Sequence, residues 1–244
     1  MDEKKCNYYC YQNTRKLPKK MINKSKNIKI IIFDMDGVLA DTVSSWKYVH
    51  DFLKTDNEKS VDDYMNGKID YKEFIRRDVS LWLEKNDKLS IKTIEKILSN
   101  IPIMKGTKET FKAIKEMGLK TAIVSGGIDI LSDRIAKKYD IDYSYANRIT
   151  TDKMGFIDGD GEVIVDLMYK DKNIYDIARK EKIEPENIAS VGNSCLDIPM
   201  FQVSGLSIAF NPSDECVREY ADFVIEGKNL IKILPIIKEN IEKK

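Results

Sequence analysis

The sequence predicts an α/β protein built on a doubly wound parallel sheet. Three observations carry this: short apolar runs rich in β-branched residues recur along the chain, helical segments separate them, and carboxylates, hydroxyls and glycines stand where the runs end. The 244 residues are 42% hydrophobic and 33% charged with a formal net charge of +1, which suits a globular protein with a large core. That near-neutral balance argues against nucleic-acid or membrane-surface binding. No stretch approaches the roughly eighteen apolar residues of a transmembrane helix. The four cysteines do not make a disulfide framework, so a reduced cytoplasm is the expected setting.

Residues 1–27 are basic, tyrosine-containing and aperiodic, and read as a loosely held extension. Cys6 and Cys10 within it are only half of a tetrahedral zinc set. The first strand is KIIIFD, Lys29 to Asp34. Residues 43–102 contain no convincing strand; Trp46, Val49 and Leu53, then Tyr71, Phe74, Ile75, Val79 and Trp82, recur at helical spacing. This predicts a small helical cap inserted after the first strand, with the core formed by 28–42 and 103–244. Further strands are expected at Thr121 to Gly126, Asn187 to Gly192, Leu206 to Phe210 and Asp222 to Glu226. Helices are expected at Thr107 to Met117, Ile130 to Tyr139, Lys172 to Lys182, Ser213 to Tyr220 and Leu230 to Lys244. The run ITTDKMGFIDGDGEVIV predicts a β-hairpin insert, its D-G-D-G read as turn chemistry because the ligand spacing of a calcium loop is missing.

The chemistry gathers at the strand ends. FDMDGVLADT places Asp34 and Asp36 at i, i+2 after the first strand, with Gly37 permitting a turn. A carboxylate there lies in the crevice where α/β sheets bind ligands. AIVSGG ends the next core strand with the hydroxyl of Ser125 and glycine N–H groups that can face an anion. Lys170 precedes a helix, with Lys172 as an adjacent competitor, and GNSCLD carries Asp197 one helical turn inside its element.

Together these residues resemble the haloacid dehalogenase (HAD) superfamily, within it the phosphoserine phosphatase-like branch with a helical cap. The resemblance runs from about Lys29 to Glu226 and rests on DMDG, VSGG, the lysine before a helix and GNSCLDIPMF; GKIDYKEFIRRDVSLW in the cap resembles that branch too. It implies a Rossmann-like core and a Mg²⁺-dependent phosphatase acting on a small phosphomonoester. Asp34 would be the nucleophile that forms an aspartyl-phosphate, and Asp36 the general acid. Mg²⁺ would lie between Asp34, the backbone carbonyl of Asp36 and Asn193, with Asp197 behind them. Ser125, the Gly126 N–H and Lys170 would hold the phosphate oxygens. Halide needs no acid to leave whereas an alkoxide does, so Asp36 favours ester hydrolysis over dehalogenation. A catalytically weak phosphate-binding or regulatory protein and an aspartyl-phosphate phosphotransferase are the alternatives.

The sequence departs from the branch in two places. Asn193 stands where a carboxylate is usual, and Leu196 where an asparagine is common. The positions that read the amino and carboxylate groups of phosphoserine fall on Val43 and Asp78, neither of which suits that substrate; Arg76 and Arg77 lie nearby. Asp78 falls on the apolar stripe of its helix, so its carboxylate either pairs internally or faces a cavity. His50 reads as an ordinary core or helix-surface histidine and Cys195 as a packing residue.

Overall fold

The computed structural model describes residues 27–241. The expected extension up to residue 26, with Cys6 and Cys10, and residues 242–244 lie outside the described residues. The core strands are β1 (Ile30–Phe33), β2 (Lys120–Ile128), β3 (Tyr143–Thr151), β4 (Ile157–Glu162), β5 (Ile188–Gly192), β6 (Leu206–Phe210) and β7 (Phe223–Ile225). They form one sheet in the order β4-β3-β2-β1-β5-β6-β7, parallel throughout except for β4, which runs antiparallel to β3. Every residue of β1, β5 and β6 is buried, as expected of strands covered on both faces.

Alternate residues of β1 feed two cores. Ile31 and Phe33 pack with the apolar residues of α1 (Ser45–Leu53), α3 (Tyr71–Lys85), α5 (Thr107–Glu116) and α6 (Asp129–Tyr139), while Ile30 and Ile32 pack with those of α7 (Lys170–Glu181) and α8 (Ile198–Gln202). Strand order reverses at β1, with β2 on one side and β5 on the other. The carboxyl ends of these three strands therefore open one crevice, carrying Asp34, Ser125 and Asn193 respectively.

The cap comprises α1, α2 (Glu58–Met65), α3 and α4 (Ile91–Ser99). Ser44, Asp70 and Ser90 accept backbone N–H groups at the starts of α1, α3 and α4. The predicted stripe of α3 is buried, and Trp82 stacks on Trp46 with ring centroids 5.4 Å apart. The β3–β4 hairpin is present, but Asp158, Gly159, Asp160 and Gly161 lie within β4 rather than in its turn. The turn belongs to Asp152, whose Oδ1 accepts the N–H groups of Met154 and Phe156, with Gly155 at φ +83. The parallel half of β3, not expected from the sequence, pairs with β2 through Tyr143, Ser144 and Tyr145.

Trp82 is fully buried against Trp46 and His50. Trp82→Ala is expected to cost about 3–5 kcal/mol, read as a lower urea midpoint at unchanged slope. An unchanged midpoint would show that this packing is not needed.

Candidate active site

The crevice opens into a cleft of about 1550 Å³ between cap and sheet, lined by Asp34, Asp36, Ser125, Gly126, Lys170 and Asn193 among others. Lys170 stands at its floor. The turn Leu167–Tyr169, capped by Asp166, delivers this lysine at the first position of α7, and its Nζ donates to Asp34 Oδ1 at 2.9 Å and to Asp197 Oδ1 at 2.7 Å. All three side chains are buried, with Lys170 only 1% exposed. The competitor Lys172 is exposed, its ammonium 4.2 Å from the Tyr169 ring centroid.

Burial raises the Asp34 carboxyl pKa most, and neighbouring Asp197 adds to this; Lys170 pulls the other way, leaving it at about 7. Burial disfavours the Lys170 ammonium, but Asp197 and then Asp34 hold its pKa above the ordinary lysine value. Asp36 is also raised by burial, against the opposing hydrogen bonds from Ser45. Its Oδ2 accepts the Ser45 N–H and hydroxyl, each at 2.8 Å, while Oδ1 is buried with no hydrogen-bond partner among the described residues. Ser45, at the start of α1, is thus a site residue that sequence reading missed; its position one residue after an N-cap serine was the available signal.

Asp197 does not line the cleft. Its second oxygen, Oδ2, accepts the N–H groups of Asn193 at 2.8 Å and Ser194 at 3.1 Å, so the carboxylate is committed to Lys170 and to the loop. Gly192 makes room for it, since a Cβ there would lie 2.5 Å from the Asp197 side chain. Gly37 has φ +82, and a Cβ on it would collide with the Asn193 amide that leans over it. Asn193 therefore faces the Asp34–Gly37 turn across the cleft. Leu196, half-buried, lines the same wall and packs against both apolar cores.

The Ser125–Gly127 segment is fixed from three directions. Gly126 O accepts from Trp46 Nε1 at 2.9 Å, Tyr71 Oη at 2.8 Å and Asn147 Nδ2 at 3.1 Å. Ser125 Oγ accepts the Gly127 N–H at 3.2 Å. Two of the three donors on Gly126 come from the cap, a role that helical spacing alone did not reveal. Cys195 is buried in the cleft wall, its backbone N–H donating to Asp214 Oδ2 at 2.9 Å.

Of the two substrate-reading positions, Val43 lines the cleft and is 71% exposed. Asp78 does not line it. The carboxylate is wholly buried inside the cap, where Oδ2 accepts from Asn57 Nδ2 at 2.9 Å and lies 3.2 Å from His50 Nε2. Burial raises its pKa, opposed by His50 and then Asn57. Arg76 is held by Asp160, and Arg77 by Asp63 and Glu73. Neither arginine lines the cleft.

The arrangement defines a class. The chain belongs to the haloacid dehalogenase-like hydrolases, whose family model matches residues 28–205. Among its relatives is a phosphoserine phosphatase of Methanocaldococcus jannaschii, 34% identical over 87% of this chain and 99% of that protein. Another, from Archaeoglobus fulgidus, is 32% identical over 91% of this chain, which spans only 62% of that protein's length. A solved structure of a phospho-aspartyl intermediate analogue of phosphoserine phosphatase superposes with a TM-score of 0.71 at 30% identity, covering 88% of this chain and 100% of that one.

Asp34 binds a proton on folding up to about pH 7, against an ordinary value of 3.8. Its stabilising share is therefore present at low pH and lost as pH rises between those values. In chelator, Asp34→Asn should gain on the parent chain from pH 4 to 8 by about 1–3 kcal/mol, roughly 3–9 °C in melting temperature. A difference that does not change with pH would contradict the burial argument.

Proposed function

We propose that the chain hydrolyses a small phosphomonoester through a covalent phosphate on Asp34. It is a phosphoric monoester hydrolase of the haloacid dehalogenase type. The observation that supports the assignment of roles best is the buried Lys170 ammonium bonded to Asp34 beside Asp36. Two anions do not approach to reacting distance unless positive charge offsets their repulsion, and a buried ammonium supplies it in a low-dielectric site.

In the first step an Asp34 oxygen attacks phosphorus as the bond to the alcohol oxygen breaks, and Asp36 gives its proton to the departing alkoxide. The raised pKa of Asp36 suits a group that must carry that proton. In the second step Asp36, now a carboxylate, takes a proton from water, which attacks the same phosphorus. Inorganic phosphate leaves and Asp34 is regenerated. Ser125, the Gly126 N–H and Lys170 hold the phosphate oxygens throughout, and Ser45 fixes the orientation of Asp36.

The residues present fit a Mg²⁺ ion held by Asp34, the backbone carbonyl of Asp36 and Asn193. All are hard oxygen donors on one cleft, and Gly37 is bare beneath the Asn193 amide. Bound there, the ion would offset charge on the phosphate. Asn193 supplies a neutral oxygen where a carboxylate would add a charge, and Asp197, committed to Lys170, is not free to replace it. A cytoplasmic setting accords with the buried Cys195, which forms no disulfide.

Turnover of an aryl phosphate with Mg²⁺ tests the reaction, and Asp34→Asn should reduce it at least about 10³-fold. Retention of turnover in that variant would remove Asp34 as the nucleophile. Asn193→Asp should lower the Mg²⁺ concentration giving half-maximal rate by about tenfold. An unchanged Mg²⁺ dependence would show that Asn193 is not a ligand. Phosphoserine belongs in the first substrate panel because the relatives named above act on it.

A further inference from the structure

The buried carboxylate in the cap gives Asn57 a fixed orientation at the cleft. Trp82 Nε1 can only donate, and it lies 3.1 Å from His50 Nδ1. That ring nitrogen must accept, so the imidazole proton sits on Nε2, which faces Asp78 Oδ2 at 3.2 Å, off the straight hydrogen-bond line. The hydroxyl of Thr55 also reaches Nδ1, at 2.7 Å. A carboxylate oxygen facing this ring nitrogen is an acceptor. The Asn57 atom 2.9 Å from it must therefore be the amide nitrogen.

The two ends of the Asn57 amide are thereby distinguished. Its nitrogen is spent on Asp78, and its oxygen accepts from no described residue, although the side chain lines the cleft. Asp56 and Glu58 flank it on the same wall, and both are exposed. Burying a carboxylate without a lysine or arginine is costly, and holding this amide one way round is what Asp78 accomplishes in return.

We infer that Asn57 Oδ1 reads the alcohol portion of the substrate, and that the group it reads is an ammonium, so that the chain acts on the phosphate monoester of an amino alcohol. A carbonyl oxygen accepts from any donor, but the adjoining carboxylates favour a cation over a neutral hydroxyl. Asp78 and His50 are positioning residues that act through Asn57. The inference rests on the phosphatase reading above.

Three esters of matched size test it: 2-aminoethyl, 2-hydroxyethyl and ethyl phosphate, with an aryl phosphate as the control for the phosphatase reading. The parent chain should prefer 2-aminoethyl over ethyl phosphate by about tenfold or more in kcat/KM, with 2-hydroxyethyl between them. Asn57→Ala should bring that ratio close to one, whatever the absolute rates. Asp78→Ala removes the oxygen that holds the amide and should reduce the preference through KM rather than kcat. A ratio near one in the parent chain, or one that survives Asn57→Ala, overturns the inference while turnover of the aryl phosphate leaves the phosphatase reading standing. Absence of turnover on all four esters overturns both.

Discussion

The cleft depends on one ammonium group. Lys170 Nζ stands between Asp34 and Asp197, and all three side chains are withdrawn from water. Taking charges out of water costs several kcal/mol each, and the cost is offset only when partners and hydrogen bonds are well placed. The surrounding chain supplies that placement. Asp166 caps the turn that delivers Lys170, Gly192 leaves space for Asp197, and the loop N–H groups of Asn193 and Ser194 occupy the other Asp197 oxygen. The result is a carboxylate, Asp34, that is buried yet kept accessible to its cleft beside a fixed positive charge.

The cap is tied to this centre by a continuous path. Trp46 and Tyr71 donate to the carbonyl of Gly126, in the segment assigned to hold phosphate. Trp46 stacks on Trp82, and Trp82 donates to His50, which faces Asp78; Asp78 in turn fixes Asn57. The wall proposed to read the alcohol and the segment proposed to hold the phosphate are thus packed as one unit. A second tie runs from Tyr64 Oη to Asp166 at 2.6 Å, joining α2 to the turn before Lys170.

Much of this was legible in the sequence because the relevant signals are local. The run Ile30 to Phe33 is apolar on both faces, and a strand buried on both sides requires that. Asp34, Ser125 and Lys170 stand at the ends of recognisable elements, so topology alone carries them to one crevice. The parallel part of β3 was missed because Tyr143, Ser144 and Tyr145 alternate polar and aromatic residues and remain partly open to solvent. D-G-D-G looked like a turn because glycine and aspartate favour turns, yet Gly161 lies in β4 where a Cβ would press on the Arg148 carbonyl at 2.5 Å. The partners of Asp78 could not be read at all. His50 and Asn57 come from other parts of the cap, and side-chain pairing of that kind has no periodicity.

The most direct measurement is the position of the covalent phosphate. The chain, incubated with Mg²⁺ and a phosphomonoester, is quenched in acid during turnover, and the phosphorylated peptide is located by mass spectrometry. Phosphate on Asp34, lost when chelator is present or when the residue is asparagine, is the predicted result. Turnover with phosphate on a different residue, or with none captured under conditions that trap acyl phosphates, would contradict the account.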